Sequence, residues 1–210
     1  MIQETPVQIQ AGSVVLEGTR VLPEAAGAII LFAHGSGSSR LSPRNNFVAK
    51  ILQEGGLGTL LFDLLTKAED RNYEMRFNIP LLTERLIQVT QWVMKENATK
   101  DLKIGFFGAS TGAASALEAA AKLNHPRIYA VVSRGGRPDL AAGSLSRVKA
   151  PSLFVVGGDD TVVIRLNQNA CEKLRCEKKM EIVPGASHLF EEPGTLEKVA
   201  ELAKNWFLEH

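Results

Sequence analysis

The chain has 210 residues, of which 45% are hydrophobic and 22% charged, with 24 Lys and Arg against 23 Asp and Glu. This composition is ordinary for a globular protein and excludes a disordered, collagen-like or disulfide-scaffold chain. The formal net charge of +1 provides no general electrostatic attraction to nucleic acid or to an acidic membrane. We therefore expect neither of them as a partner.

The two cysteines and the first residues of the sequence indicate the cellular compartment. Cys171 and Cys176 lie in one apparent helical stretch, which predicts no disulfide framework and favours a reducing compartment. No second Cys or His cluster accompanies them, so we expect no metal and no other cofactor. The first five residues lack the features of a signal peptide, and the apolar run 25–33 is too short to cross a bilayer. These features predict a cytoplasmic protein.

The predicted elements begin with a hairpin and continue as buried strands. Residues 1–22 alternate β-favouring and polar side chains around Gly12, which predicts an antiparallel hairpin with one buried face. Short apolar runs follow, and such runs are typical of strands covered on both faces. They lie at residues 28–32, 57–62, 104–107, 130–132 and 153–156, and the apolar stretch 180–183 is the last predicted strand.

Helical stripes separate these runs, notably at residues 82–93, 113–123 and 196–207. The alternation predicts an α/β fold: a mostly parallel, doubly wound sheet with helices on both faces, preceded by the antiparallel hairpin. We predict one domain over residues 1–208. Residues 209–210 resemble the remnant of an expression tag.

A Gly-x-Ser-x-Gly pattern occupies residues 108–112, between a predicted strand and an Ala-rich helix. Its glycines leave room for a sharp turn that exposes the hydroxyl of Ser110. The N-terminus of the helix places partial positive charge near this residue. This context predicts a nucleophilic serine.

A serine nucleophile needs a base and an acid that orients the base. His188 follows the last predicted strand and is the predicted base, whereas His34 is expected to hold its loop in shape. Asp159 and Asp160 end an earlier strand, and the spacing Gly157-x-x-Asp160 favours Asp160. We predict backbone N–H groups of Thr111 and Ser36 as the oxyanion hole, with Gly37 as the alternative to Ser36.

Six arginines follow predicted strands, and we expect Arg40, Arg134 and Arg137 to be the candidates for binding a carboxylate or phosphate of the substrate. The alternative is that these arginines pair with acidic residues of the same loops. Those acidic residues are Glu69, Asp70, Glu74 and Asp139. Residues 63–78 form the longest irregular segment and are a candidate for a movable wall of the pocket.

Over nearly its whole length the chain resembles an α/β-hydrolase of the dienelactone-hydrolase-like group without a cap domain. The resemblance rests on the loop at His34, the pattern around Ser110, Asp160 with Gly157, and Ser187-His188. Dienelactone hydrolases themselves have a cysteine where this chain has Ser110, which favours a serine esterase. The resemblance implies a Ser110-Asp160-His188 triad that forms an acyl-enzyme.

The expected function is hydrolysis of a small carboxylic ester, thioester or lactone. The partner is then a small-molecule acyl substrate, and an arginine-lined pocket would favour one that carries a negative charge. One alternative keeps the triad but transfers the acyl group to an acceptor other than water. A second is a catalytically silent binding protein on a hydrolase scaffold, since a fold alone does not establish function. Neither the natural substrate nor the oligomeric state follows from the sequence.

Overall fold

The computed structural model describes residues 3–210. In this part of the chain eight strands form one sheet: β1 (Glu4–Ala11), β2 (Val14–Val21), β3 (Ala28–Ala33), β4 (Gly58–Phe62), β5 (Lys103–Ala109), β6 (Ile128–Arg134), β7 (Ser152–Gly157) and β8 (Lys178–Val183). Five α-helices accompany them: α1 (Pro43–Glu54), α2 (Ile79–Val93), α3 (Thr111–Leu123), α4 (Thr161–Lys173) and α5 (Thr195–Glu209).

The strand order is β1-β2-β4-β3-β5-β6-β7-β8. The pairs β1–β2 and β2–β4 are antiparallel, and all other neighbouring strands are parallel. The predicted α/β fold, with its mostly parallel sheet and antiparallel hairpin, is confirmed. Each predicted apolar run lies in a strand: β3, β4, β6 and β7 and all of β5 but its first residue are almost wholly buried, as strands covered on both faces are, whereas β8 is a largely exposed edge strand.

Helices cover the two faces of the sheet unequally. One face packs against α1 and α5 through residues such as Val48, Leu52, Val199 and Phe207. The other packs against α2, α3 and α4, and the Ala-rich α3 approaches its strands closely because its side chains are small. The carboxyl ends of the parallel strands meet at one edge, which is where sites form in such folds.

Residues 63–78 are less irregular than expected, because they contain the short 3-10 helices Glu69–Arg71 and Tyr73–Phe77. At the other end of the chain, α5 runs through Glu209, and the carbonyl of Trp206 accepts a hydrogen bond of 2.9 Å from the Nδ1 of His210. The interpretation of residues 209–210 as a tag remnant stays a prediction.

Candidate active site

Ser110 occupies the turn between β5 and α3 with a strained backbone, at φ 49° and ψ −118°. The glycines on either side make this turn sterically possible. A Cβ on Gly108 would lie 2.4 Å from the Cα of Ala113, and one on Gly112 would lie 2.1 Å from the carbonyl oxygen of Ala33. Any larger residue would push α3 away from the sheet. The strain at Ser110 is typical of a residue held for function.

Asp160 and His188 are in contact across two loops at the same edge. The Nδ1 of His188 donates to Oδ2 of Asp160 at 2.6 Å, while Oδ1 of Asp160 accepts from the N–H of Val163 at 3.4 Å. Asp160 is therefore both the N-cap of α4 and the partner of the imidazole. Asp159, the other aspartate considered, directs its backbone N–H to the carbonyl of Ala186.

Close packing of backbone holds these two loops together. A Cβ on Gly157 would lie 2.4 Å from the carbonyl oxygen of Ala186, so only glycine permits this approach. Beyond His188, Phe190 is 1% exposed and takes a left-handed φ of 56°. Its ring packs into the core on the face of α1 and α5 and anchors the loop. The sequence pattern did not identify Phe190, because an apolar residue in a loop carries no distinctive signal.

The imidazole of His188 lies beside the turn that carries Ser110. A Cβ on Gly135 would be 3.6 Å from both Nδ1 and Cε1 of His188, and the preceding carbonyl, of Arg134, accepts the N–H of Ser110 at 3.1 Å. The structure forms no hydrogen bond between the Ser110 hydroxyl and His188. Such bonds often tighten only when substrate is bound.

The two backbone groups predicted for the oxyanion hole are neighbours in space. The N–H of Ser36 donates to the side-chain Oγ1 of Thr111 at 2.9 Å. Thr111 is the first residue of α3, so its own N–H lacks a partner within the helix. The Ser36 N–H must turn from the Thr111 hydroxyl, or be shared with it, to bind an oxyanion.

His34 is buried, and both of its ring nitrogens are occupied. Nε2 accepts from the N–H of Leu64 at 3.0 Å, and Nδ1 donates to the carbonyl of Gly35 at 3.0 Å. Burial lowers the pKa of His34, more than the opposing hydrogen bond to Gly35 and the carboxylates of Asp63 and Asp70 raise it. The neutral ring therefore ties the loop after β3 to the end of β4, in keeping with the expected structural role.

The arginines predicted to bind substrate fall into two groups. Arg40 contacts Asp63 and Glu17, the latter at 2.7 Å, and Arg137 forms a two-pronged pair with Asp139 at 2.8 and 2.9 Å. Arg137 thus pairs with an acidic residue of its own loop, as the alternative predicted, whereas Arg40 forms ion pairs with two residues that were not among those expected. Arg134 differs, because it is 8% exposed and its Nε and Nη1 have no hydrogen-bond partner among residues 3–210.

Exposed apolar side chains surround the site. Six of the nine large hydrophobic residues exposed among residues 3–210 lie at this edge, in loops, in 3-10 helices or in the first turn of α4. They are Leu41, Tyr73, Phe77, Leu140, Val162 and Leu189. A cleft of about 190 Å³ lies between the loops after β3 and β4. Two larger clefts, of about 440 and 490 Å³, lie at the opposite edge and contain none of the predicted site residues.

Within residues 3–210, no three His, Cys, Asp or Glu side chains are grouped closely enough to hold a metal ion. In the same part of the chain, no helix combines the length and hydropathy needed to span a bilayer.

Curated relatives match the whole chain. Proteins from two strains of Mycobacterium tuberculosis, CDC 1551 / Oshkosh and ATCC 25618 / H37Rv, are 53% identical to it over 211 residues. Each is named a putative phosphoribosyl transferase. The match covers 100% of this chain but only 47% of each relative, so the chain spans about half the length of these proteins.

Solved structures and a family model match as well. A crystal structure of dienelactone hydrolase from Anabaena variabilis shares 52% identity and a TM-score of 0.97, covering 100% of this chain and 98% of that one. An α/β serine hydrolase homologue from Coxiella burnetii, at 22% identity, has a TM-score of 0.80 with 96% of both chains covered and shows the same fold. The dienelactone hydrolase family model matches residues 21–209. The chain belongs to the dienelactone hydrolase family, within the α/β-hydrolase superfamily.

Proposed function

We propose that this protein is a serine hydrolase that cleaves a small carboxylic ester, thioester or lactone through an acyl-enzyme on Ser110. The observation that carries the proposal is the 2.6 Å contact between His188 and Asp160, formed beside a serine with strained backbone angles. Hydroxyl, imidazole and carboxylate are the three groups that acyl transfer requires. Family membership supports the hydrolase assignment independently.

The proposed mechanism assigns one task to each group. His188 accepts the proton of the Ser110 hydroxyl as its oxygen attacks the acyl carbonyl, and the imidazolium then protonates the leaving group. The Asp160 carboxylate holds the hydrogen on Nδ1, which leaves Nε2 free to act as base, and stabilises the imidazolium. Water activated by His188 then attacks the ester carbonyl and releases the acid and Ser110.

The tetrahedral oxyanion is proposed to bind the backbone N–H groups of Thr111 and Ser36. Thr111 opens α3, so the partial positive charge of the helix N-terminus adds to its hydrogen bond. Loss of one such donor typically raises the barrier by about 3–4 kcal/mol. In the loop after β3, Ser36 is favoured over Gly37 as the second donor because its N–H already points at the Thr111 side chain.

The direct test is hydrolysis of p-nitrophenyl acetate by Ser110→Ala. We expect turnover to fall by at least a factor of about 1,000, because the residual rate comes only from binding and the oxyanion hole. Ser146→Ala is a matched control, since Ser146 is exposed at the opposite edge of the sheet. Full turnover in Ser110→Ala would assign the activity to another group.

The name of the Mycobacterium relatives suggests a different activity, phosphoribosyl transfer. The chain matches only 47% of those proteins. We assign any such activity to the part of the relatives outside the match, because the groups gathered here suit acyl transfer. The isolated chain should hydrolyse p-nitrophenyl acetate yet release no diphosphate from 5-phosphoribosyl diphosphate with a nucleobase. Release of diphosphate would overturn this division.

A further inference from the structure

A carboxylate side chain closes the loop that carries His188. Between β8 and α5, Oε2 of Glu192 accepts a hydrogen bond of 3.0 Å from the backbone N–H of Ser187, the residue before His188. The carbonyl of Ser187 in turn accepts the N–H of Phe190 at 3.3 Å. Both backbone polar groups of Ser187 are therefore bonded within this segment, and His188 belongs to it.

Glu192 is itself fixed to the start of α5. Its carbonyl accepts the N–H of Thr195 at 3.1 Å and the hydroxyl of Thr195 at 2.7 Å. Thr195 is buried and is the first residue of α5, which packs on the sheet. The Glu192 carboxylate thus connects the backbone before His188 to a helix that the core holds in place.

The acceptor of this hydrogen bond is ionised. The bond from the backbone of Ser187 holds the pKa of Glu192 below its usual range, so the carboxylate is charged at neutral pH. A backbone N–H binds a carboxylate more strongly than it binds a neutral acceptor. The neighbouring Glu191 differs, because its carboxylate contacts Arg44 of α1 at 3.0 Å. Of these two acidic side chains, Glu192 is the one that bonds to the backbone beside His188.

The orientation of His188 depends on the backbone of this segment. The side chain is 38% exposed, and its ring forms one hydrogen bond among residues 3–210, from Nδ1 to Asp160. Its carbonyl lies against Gly135, where a Cβ would be 3.1 Å away. A shift of the backbone at Ser187 would therefore move the imidazole relative to both Asp160 and Ser110.

We propose that Glu192 is a positioning residue whose carboxylate, through the backbone at Ser187, keeps the imidazole of His188 aligned for catalysis. Glu192 takes no part in proton transfer itself. The inference rests on the proposed hydrolase function and assigns a further residue to it. A misplacement of about 1 Å can cost about 100-fold in rate, so the loss of this contact should be measurable.

The test compares two substitutions of Glu192 with one control. Glu192→Ala removes the acceptor, and Glu192→Gln keeps an oxygen without the charge. Glu197→Ala is the control, because it removes the charge of an exposed residue in the first turn of α5. For each variant we would measure kcat and KM for p-nitrophenyl acetate and the melting temperature. We would also record the downfield proton resonance of the His188 Nδ1–H, which reports the hydrogen bond to Asp160 without need of turnover.

We expect Glu192→Ala to lower kcat by about 10- to 100-fold, with KM within about twofold of wild type. Its Nδ1–H resonance should broaden or disappear, because a misaligned imidazole exchanges this proton with water faster. Glu192→Gln should recover most of the lost kcat, since it keeps a neutral hydrogen bond to Ser187. Glu197→Ala should match wild type in kcat, KM and resonance.

Wild-type kcat in Glu192→Ala would refute the inference. A large fall in melting temperature with an unchanged His188 resonance would also refute it, since Glu192 would then only support the fold. Failure of the hydrolase proposal gives a different result: wild type would hydrolyse no ester. The resonance, and its loss in Glu192→Ala, would still show that Glu192 positions His188.

Discussion

Ser110 shows how a single residue carries strain that the rest of the molecule maintains. Its φ of 49° is unusual for a residue with a side chain, and conformations of this kind cost about 1–3 kcal/mol. The turn persists because Gly108 and Gly112 allow β5, α3 and the end of β3 to pack without a gap. The hydroxyl is thereby presented at the edge where His188 lies.

The strain at Ser110 predicts that the backbone of this turn lowers the stability of the fold. Ser110→Gly should have a higher free energy of unfolding than Ser110→Ala, by about 0.5–2 kcal/mol. Glycine adopts a positive φ at little cost, and this gain is partly offset because glycine has the larger conformational entropy in the unfolded state. Both variants remove the hydroxyl, so their difference isolates the backbone. Urea denaturation measures it. Equal stabilities would mean that the turn at Ser110 is unstrained.

His34 predicts a pH dependence of stability. Burial holds its folded pKa below the unfolded value of about 6.5, so the unfolded chain binds the proton more readily. The stabilisation is complete above pH 6.5 and decreases as the pH falls toward the lower folded pKa, by at most about 1.4 kcal/mol per pH unit. Protonation would also cost the hydrogen bond from Leu64.

Thermal unfolding of wild type and His34→Gln between pH 7.5 and 5 measures this contribution. The variant should be less stable at pH 7.5, because buried hydrogen bonds are disturbed, but its melting temperature should fall less steeply with acid. Parallel slopes for the two proteins would assign the acid sensitivity to other groups.

At the scale of elements, the site depends on two loops whose backbones pack directly against each other. The β7–α4 loop carries Asp160 and the β8–α5 loop carries His188, and Gly157 lets them approach. Gly157→Ala should force them apart, because its Cβ would lie 2.4 Å from the carbonyl oxygen of Ala186. We expect kcat/KM for p-nitrophenyl acetate to fall at least about tenfold, since small misplacements of catalytic groups are costly.

Gly143→Ala is the control for this change. No atom of residues 3–210 lies within 4 Å of a Cβ at Gly143, so the substitution should leave kcat/KM within about twofold of wild type. Wild-type activity in Gly157→Ala would show that the contact between the loops has no part in positioning Asp160 against His188.

The strands and the helices α2, α3 and α5 followed from the sequence because their signals are local, whereas α1 was not predicted. The apolar run at residues 28–32 became β3 with one further residue, and the Gly-x-Ser-x-Gly pattern lies between β5 and α3 as expected. The 3-10 helices within residues 63–78 escaped prediction, because each consists of a few polar residues without a hydrophobic period. They depend on contacts such as the pair between Arg76 and Asp70.

At the scale of the whole molecule, pairing across distant parts of the chain was the least predictable feature. The partners of Arg137 and Arg76, namely Asp139 and Asp70, lie within their own loops and were among the acidic residues expected. Arg40 pairs with Asp63 and with Glu17 of β2, and neither was among the acidic residues expected. Arg134 was expected to have a partner or a ligand, and only the fold reveals that its Nε and Nη1 find no hydrogen-bond partner within residues 3–210.

In the candidate site, too, the contacts between distant parts of the chain were harder to predict than the residue types. Order along the chain and residue type pointed to Ser110, Asp160 and His188, because each follows the end of a strand. The choice of Asp160 over Asp159 needed only the spacing from Gly157. The anchoring of the His188 loop by Phe190 could not be foreseen, since it depends on which loop residue reaches the core between α1 and α5.

The central claim is that His188 makes the Ser110 hydroxyl nucleophilic. A fluorophosphonate probe followed by mass spectrometry tests it most directly, with labelling rates compared between wild type, Ser110→Ala and His188→Ala. We predict one adduct per chain, on Ser110, and labelling at least about 100-fold slower in His188→Ala. An adduct elsewhere, no adduct in wild type, or an unchanged rate in His188→Ala would contradict the account.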